Sequence, residues 1–403
     1  MLDSVRKARR TQHLMKDGIM VTKQEAMEAL PQVRTVLLDK GTITTGSYAV
    51  SDWILPEDAS LRRVKQDEQQ GAPDASLRQL LECTWLTTHG QPLREGEVRS
   101  PLNAALGEAS EAKLGTEGVA RLQTSQVFKI PFNSSNKWML SIHKESRSDS
   151  VVHRVVIQGQ CITLCKVEEP LCSELLPMGA SLDREGKTFV CLAEALLTDY
   201  PDGFEFKGSS KADLNFELGP CQLVGFVAVE DPPRPHVTEA LTRMTTAGLR
   251  TVMITCDMET KAVAIARRTG ILGFSAESAV MLGGELEKHI PPGGDFAAAD
   301  AAVEGFWRSC LKEVRVYARV SPEMKVIIVR AYRHLSGQPV AVIGGAPSDA
   351  PALMQADAGI CMAAHATDLV KEASGLLLLS DDLRKIAEWI GAGTASTSKC
   401  VLS

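Results

Sequence analysis

The sequence predicts an α/β fold in which a Rossmann-like domain with a doubly wound parallel sheet is interrupted by a second domain of antiparallel strands. The β-branched apolar run at 33–38 is typical of a buried parallel strand that ends at Asp39. From Leu223 onward, apolar strands alternate with amphipathic helices, which is the order of a parallel sheet. About 180 residues of different texture separate these two parts. We therefore expect the second domain to be inserted after the first strand.

The individual elements follow from the spacing of apolar residues and from the glycines that end helices, Gly248 and Gly270. The alternating part is predicted to contain strands 223–229, 249–255, 314–318 and 339–343 and helices 236–247, 259–269 and 323–335. The insert is predicted to contain helices near 76–86 and 104–114 and antiparallel strands within 127–142 and 151–156. The segment 291–305, rich in proline, glycine and alanine, is expected to be a loop.

The 403 residues are enough for two or three domains of about 150 residues each. The predicted segments are a basic N-terminal segment at 1–18, the two parts of the Rossmann-like domain at 19–47 and 229–391, the insert at 48–228 and a polar tail at 392–403. Each of the two domains is therefore expected to have its own core.

Composition excludes several classes of function. The 50 acidic and 44 basic side chains give a net charge of -6, so the overall balance does not favour nucleic acid as a partner. No apolar stretch approaches the roughly 18 residues that a membrane-spanning helix needs. The ten cysteines occur without a CxxC pair, which indicates a reduced, cytoplasmic setting.

Polar residues follow the predicted strands on four loops, where the reactive groups of an open α/β sheet lie. They are the segments 39–44, 255–257 and 344–349, together with Lys325 just after Ser321 and Pro322. Together they predict a carboxylate nucleophile, a hydroxyl and a cation for a phosphoryl group, and an acidic metal site. Taken singly, an aspartate at a strand end is more typical of a cap, and Lys325 of a solvated helix face.

Several motifs, taken together and in order, resemble those of P-type cation-transporting ATPases, in particular the sodium/potassium-pump α subunit. The matching segments are the phosphorylation motif at 39–44, the nucleotide-domain segments at 107–112, 130–137 and 140–144, the hinge at 231–234, the segment 318–322 and the segment 349–353. The resemblance covers about residues 4–390. It implies a phosphorylation domain of the haloacid-dehalogenase type with an inserted nucleotide-binding-like domain.

The same resemblance implies roles for individual residues. Asp39 matches the nucleophile that attacks the γ-phosphate of ATP, and Lys325 matches the lysine that holds the phosphoryl oxygens. Thr255 and Asp257 match the outer residues of the family's Thr-Gly-Asp loop. The residues matched to catalytic positions are Asp39, Lys40, Thr255, Asp257 and Lys325, and those matched to magnesium ligands are Asp39 and Asp349.

Departures from the family pattern predict that this chemistry is impaired. The motif after Asp39 is one threonine short, so the loop that grips magnesium and phosphate is expected to be distorted. Cys256 replaces a glycine, and Ser348 replaces an asparagine. Gly345 replaces the aspartate that gives magnesium its main carboxylate oxygen. Because one lost transition-state contact costs on the order of 10²–10³ in rate, little turnover is expected.

The insert retains part of a nucleotide site. Phe132 matches the aromatic residue that stacks on adenine, and Glu111 and Lys137 match polar contacts. Gln158, however, stands where the family has a lysine near the triphosphate. The binding of ATP and magnesium is therefore expected to be weak. The alternative is that Phe132 is simply a core residue.

Three hypotheses on function are open at this stage. The preferred one is a catalytically impaired protein without membrane helices or actuator domain, unable to transport ions alone, that acts as a binding or regulatory module by sequestering a partner of intact pumps. The second is a residual ATP or phosphomonoester hydrolase that uses Asp39 and Lys325. The third is a gene fragment without a selected role.

The last four residues, 400–403, fit the C-a-a-X prenylation box, and the terminal Ser403 is typical of farnesylation. The alternative is that this match is due to chance. A basic cluster near the start consists of Arg6, Lys7, Arg9 and Arg10. We expect a cytoplasmic protein that a farnesyl group on Cys400 holds at an anionic membrane surface. The other expected partners are an intact P-type pump or its regulators, and no nucleic acid.

Overall fold

The structure is a computed structural model and describes residues 2–57, 60–68, 72–89, 100–122, 125–133, 136–147, 150–165, 167, 169–273, 279–364 and 366–390. The chain forms two compact units. The first combines Met1–Gly46 with Pro233–Ser403, and the second is Ser47–Pro232. The predicted fold class, a Rossmann-like α/β domain with an inserted domain of antiparallel strands, is confirmed.

The helices are α1 (Leu2–Lys16), α2 (Gln24–Ala29), α3 (Lys40–Ile43), α4 (Ala75–His89), α5 (Pro101–Arg121), α6 (Glu169–Arg184), α7 (Val237–Thr246), α8 (Glu259–Thr269), α9 (Gly283–Leu286), α10 (Ala301–Glu313), α11 (Pro322–Ser336), α12 (Ala350–Gln355), α13 (Asp368–Ala373) and α14 (Leu383–Ala387). Within the described residues, no helix is both long and apolar enough to cross a membrane.

The strands are β1 (Ile19–Val21), β2 (Thr35–Asp39), β3 (Ala49–Glu57), β4 (Ser60–Lys65), β5 (Ser125–Ile130), β6 (Trp138–Arg147), β7 (Ser150–Gly159), β8 (Thr188–Leu197), β9 (Gln222–Glu230), β10 (Arg250–Ile254), β11 (Val280–Leu282), β12 (Val316–Ala318), β13 (Val340–Gly344), β14 (Ala358–Met362) and β15 (Leu376–Leu378). They form one sheet in each unit.

The sheet of the first unit has the strand order β1-β15-β14-β13-β2-β10-β12-β11. Its pairs are parallel except for β1, which runs antiparallel to β15. Strand β2 is central, with Leu38 opposite Ile343 of β13 and Asp39 opposite Ile254 of β10. The carboxyl ends of these three strands therefore meet at one edge of the sheet and bring Asp39 next to the loops after Ile254 and Gly344.

Both faces of this sheet are buried, which explains why Val36, Leu37 and Leu38 of β2 are all apolar and do not alternate with polar residues. Val36 and Leu38 pack into a core cluster with residues of α7 and α8. Leu37 points to the other face and packs into a second cluster with residues of α10 and α11. The nucleophile candidate Asp39 thus ends a strand that is fixed by packing on both sides.

The second unit contains an antiparallel sheet of strand order β4-β3-β9-β8-β7-β6-β5. Helices α4 and α5 cover one face, where Leu77, Leu80 and Leu81 recur at helical spacing and pack with Trp53. The other face packs against residues of α6. The unit therefore has its own hydrophobic core.

One predicted strand lies in a different sheet from the one expected. The alternating pattern from Leu223 predicts that 223–229 opens the parallel series, although the predicted bounds of the insert, 48–228, include most of this strand. In the structure, β9 pairs antiparallel with β3 and β8 in the second unit. Residues 223–229 are all buried. A strand covered on both faces has the same unbroken apolar sequence in either kind of sheet, so hydrophobicity alone could not separate the two cases.

The prediction of a loop over 291–305 is wrong at its end, because α10 begins at Ala301. Asp300 caps this helix, and its Oδ1 accepts hydrogen bonds from the N–H groups of Ala302 at 3.0 Å and Val303 at 2.8 Å. An aspartate before an alanine-rich run is a helix start signal. The prediction missed it because the segment as a whole is rich in proline, glycine and alanine. Strands β1, β14 and β15 had no predicted counterpart.

Candidate functional site

Asp39 is the last residue of β2 and caps the short helix α3. Its Oδ2 accepts a hydrogen bond from the N–H of Gly41 at 2.7 Å. The hydroxyl of Thr42 donates to the carbonyl oxygen of Asp39 at 2.7 Å. The shortened loop therefore folds back onto its own aspartate, and one carboxylate oxygen is used to cap the turn.

Lys325 is brought to Asp39 by helix α11. This helix starts after Ser321, whose Oγ accepts from the N–H of Met324 at 3.2 Å, with Pro322 in the first turn. Lys325 is only 5% exposed. Its Nζ donates to Oδ1 of Asp39 and to Oδ1 of Asp349, both at 2.7 Å. The ammonium group thus bridges two carboxylates, so the alternative that Lys325 lies on a solvated helix face is wrong.

Asp349 is the third member of this cluster and is 1% exposed. Its Oδ2 accepts hydrogen bonds from the N–H groups of Gly345 and Ala346, both at 3.0 Å. Together with Lys325, these donors engage both oxygens of the carboxylate. Asp349 therefore holds the loop after β13 and the ammonium group at the same time.

The protonation of Asp39 and Lys325 depends on their burial and on the charges that Lys325, Asp39 and Asp349 exert on one another. Burial raises the pKa of Asp39, with the charge of Asp349 acting in the same direction and Lys325 opposing it. Burial disfavours the charged form of Lys325, but the two carboxylates outweigh this effect and raise its pKa. Lys325 therefore stays charged at neutral pH, and its charge is shared between Asp39 and Asp349.

Lys40, Thr255 and Asp257 form a second polar group next to this cluster. The Nζ of Lys40 lies 2.9 Å from Oδ2 of Asp257. The N–H of Asp257 donates to Oγ1 of Thr255 at 3.0 Å. Backbone hydrogen bonds from the N–H groups of Arg319 and Val320 fix the same loop. The structure thus links the Asp39 loop to the 255–257 loop through an ion pair.

The described residues do not fit a magnesium ion at this place. Its two matched ligands, Asp39 and Asp349, already share one ammonium group. Within the described chain, no group of three or more acidic, histidine or cysteine residues is arranged to hold a metal ion. A side chain at position 345 would have room, because an added Cβ would lie 4.0 Å from its nearest neighbour, Met362. Position 345 therefore lacks a carboxylate because its residue is glycine, and not because the surrounding structure leaves no space for a side chain.

The three nucleotide-site candidates lie in the second unit. Phe132 follows β5 and is 60% exposed, so the alternative that it is a core residue is wrong. Lys137 is exposed, immediately precedes β6 and adopts a left-handed backbone conformation with φ 58°. Glu111 is exposed on α5. All three side chains are available to a ligand in solvent.

Gln158 has a structural role that the sequence comparison did not reveal. It is 4% exposed on β7. Its Oε1 accepts from the hydroxyl of Thr87 at 2.7 Å, and its Nε2 donates to Oδ1 of Asn103 at 2.9 Å. The glutamine thus ties the sheet to α4 and α5, and it does not present a polar group to solvent.

Arg234 is a further residue that motif reasoning placed only in a hinge. Its N–H donates to the carbonyl of Ile43 at 2.8 Å, and its Nη2 donates to the carbonyl of Gly41 at 3.2 Å. Its Nη1 lies 3.1 Å from Oδ2 of Asp381. Arg234 therefore anchors the loop that carries the nucleophile candidate, a role that only the spatial arrangement reveals.

Of the predicted lipid-attachment features, Cys400 lies outside the described residues. In the basic cluster, Arg6 and Arg9 are exposed on α1. Lys7 forms an ion pair with Glu28 at 2.6 Å, so its charge is partly compensated. The net positive surface of α1 is accordingly smaller than the sequence count suggests.

Comparisons with known proteins agree with this architecture. A family model described as a haloacid dehalogenase-like hydrolase matches residues 163–357. The chain is 28% identical, over an alignment of 427 positions, to the sodium/potassium-transporting ATPase subunit alpha-3 of Oreochromis mossambicus, with 94% of this chain and 41% of the relative covered. It is 26% identical to the sodium/potassium-transporting ATPase subunit alpha of Drosophila melanogaster, with 93% and 39% covered. The chain therefore spans about two fifths of the length of these relatives.

Proposed function

We propose that this chain, which contains P-type ATPase-like cytoplasmic domains, is catalytically impaired and acts as a binding or regulatory module. The observation that carries this proposal is the ammonium group of Lys325, held 2.7 Å from both Asp39 and Asp349. Magnesium needs several oxygen ligands in near-octahedral geometry. Here a single ammonium group already bonds to both carboxylates, and Gly345 contributes no third one.

The surroundings of Asp39 also support impairment. A carboxylate nucleophile needs an ionised oxygen directed at the phosphorus atom. Oδ1 of Asp39 accepts from Lys325 and Oδ2 accepts from Gly41, while burial raises the pKa of the carboxyl group. Each oxygen of Asp39 therefore already accepts a hydrogen bond within the protein, which lowers its availability as a nucleophile.

The second candidate function is a residual ATP or phosphomonoester hydrolase that uses Asp39 and Lys325. The ion pair between Lys40 and Asp257 favours it, because the 255–257 loop stays beside the Asp39 loop despite Cys256. The two functions are separated by the release of phosphate from ATP and from p-nitrophenyl phosphate in magnesium buffer. We expect equal rates for the wild type and Asp39→Asn, whereas hydrolysis that depends on Asp39 would favour the second candidate.

We expect ATP to bind weakly, with a Kd in the high micromolar to millimolar range, about 4 to 6 kcal/mol of binding free energy. Phe132, Lys137 and Glu111 are exposed and offer an aromatic face and polar contacts, but Gln158 is used inside the protein. Isothermal titration calorimetry with and without magnesium measures this. Phe132→Ala should abolish the signal, and Phe189→Ala, which also removes a partly exposed ring, serves as the control. Tight binding that requires magnesium would contradict the proposal.

As a binding module, the protein is proposed to associate with an intact P-type pump or with one of its regulators, and not with nucleic acid. The support is the similarity of its domains to those of sodium/potassium-transporting ATPase α subunits, since a copy without turnover can compete for contacts of the active protein. Pump-containing membranes should retain the purified chain, whereas membranes depleted of the pump should not.

Farnesylation of Cys400 is proposed from the C-a-a-X pattern, which functions at a free carboxyl terminus. One lipid chain gives marginal membrane binding, and exposed basic residues such as Arg6 and Arg9 add roughly 1 kcal/mol each near anionic lipid. We expect Cys400→Ser to move the expressed protein from the membrane fraction to the soluble fraction, whereas Cys172→Ser should not. Mass spectrometry that finds unmodified Cys400 followed by residues 401–403 contradicts this proposal.

A further inference from the structure

Three neighbouring strands of the parallel sheet start with an arginine, at the edge opposite to Asp39. Arg34 immediately precedes β2, Arg250 is the first residue of β10, and Arg315 immediately precedes β12. Arg250 pairs with Thr35 and Met253 pairs with Val316, so Arg250 and Arg315 share one face of the sheet, whereas Arg34 is one residue out of register with them. The N–H of Arg250 donates to the carbonyl of Arg34 at 2.8 Å. Four residue steps along β10, about 13 Å, separate Arg250 from the edge that carries Asp39.

The side chains of Arg250 and Arg315 cross between their two strands. Nη2 of Arg250 donates to the carbonyl of Val314 at 2.6 Å, and Nη1 of Arg315 donates to the carbonyl of Thr251 at 3.4 Å. Each arginine therefore extends towards the strand of the other, and the two positive charges are neighbours. Burial and the charge of Arg250 together lower the pKa of Arg315.

Among the described residues, these arginines have no carboxylate counter-ion. Within the part of the chain that the structure describes, none of the three arginines forms an ion pair with a carboxylate. Nε of Arg250 is buried there without a hydrogen-bond partner. The phenols of Tyr317 and Tyr332 interact with Arg250, and burial raises the pKa of both, so neither supplies a negative charge at neutral pH.

Partly buried like charges without an anion are costly, because neither water nor a carboxylate fully compensates them. Guanidinium groups present planar pairs of N–H donors that match phosphate and carboxylate oxygens. We propose that Arg250 and Arg315 form a binding site for a small oxyanion of the phosphate type. This site is independent of the Asp39 cluster and of the function proposed above.

The test compares thermal unfolding in inorganic phosphate and in chloride at equal ionic strength. At ten times its Kd, phosphate is expected to raise the Tm by about 3 to 5 °C. Arg315→Gln should abolish this rise, and it should also raise the Tm in chloride, because the repulsion from Arg250 is removed. Arg315→Lys retains the charge and should retain part of the response.

The matched control is Arg243→Gln, since Arg243 is an exposed arginine of the same unit that is paired with Glu239 at 2.7 Å. This variant should keep the full phosphate response and gain no stability in chloride. The proposal is overturned if phosphate still raises the Tm of Arg315→Gln, or if chloride at equal ionic strength raises the Tm of the wild type as much as phosphate does. Sedimentation with vesicles of phosphatidylcholine and phosphatidic acid separates the sources: binding that needs Arg315 supports a lipid headgroup, and a response to free phosphate alone supports a soluble ligand.

Discussion

Lys325→Met is expected to lower the free energy of unfolding by about 3 to 5 kcal/mol, because it leaves two buried carboxylates without their shared cation. The ammonium group is 5% exposed and bonds to Asp39 and Asp349 at 2.7 Å each. After the substitution, one carboxyl group must take up a proton or the loop after β13 must open to water. Urea unfolding monitored by tryptophan fluorescence, to which the buried Trp307 of the same unit contributes, measures the loss.

The control for this change is Lys371→Met, in which an exposed lysine loses a partner, Asp368, at 3.5 Å. Exposed pairs contribute between 0 and 1 kcal/mol, so little change is expected. The double variant Asp39→Asn with Lys325→Met should regain part of the stability, because one of the two carboxylates becomes neutral. Equal effects of Lys325→Met and Lys371→Met would show that the bridge does not hold the cluster together.

Gly345→Asp is expected to create a response to magnesium that the wild type lacks. The new side chain has room, since its Cβ would lie 4.0 Å from Met362, and it would add a third carboxylate beside Asp39 and Asp349. At a hundred times its Kd, magnesium would stabilise this variant by about 2.7 kcal/mol. Thermal unfolding in magnesium chloride and in sodium chloride of equal ionic strength measures the difference.

Gly345→Asn is the matched control, because asparagine has the shape of aspartate without its charge. It should show no magnesium response, and in the absence of magnesium it should be more stable than Gly345→Asp, which places three acidic groups around one ammonium. If wild type and Gly345→Asp respond equally to magnesium, the residue at position 345 is not what limits metal binding.

The ends of several strands and helices could be predicted from the sequence, because local sequence patterns determine them. The apolar run at 33–38 gives a strand that ends at Asp39, and β2 ends at that residue. Helices α8 and α11 were likewise placed within a residue of their observed bounds, since glycine, serine and proline mark their ends. Such signals lie within a few residues of the element that they define.

Contacts between distant residues could not be predicted in the same way. Whether Lys325 points to solvent or to Asp349, 24 residues later, depends on how α11 is rotated on the sheet. The sequence match showed that Gln158 replaces a lysine, but only the packing of α4 and α5 shows that its amide is used internally. Arg250 and Arg315 lie 65 positions apart, and strand pairing alone makes them neighbours.

Phosphorylation by labelled ATP tests the central proposal most directly. The protein is incubated with γ-labelled ATP and magnesium, quenched in acid and counted, with Asp39→Asn treated in parallel. Because Lys325 bridges Asp39 and Asp349 and position 345 has no carboxylate, we expect the wild type to carry no more acid-stable label than Asp39→Asn. Label that approaches one phosphate per chain and disappears in Asp39→Asn would show that Asp39 is an active nucleophile and would contradict the account.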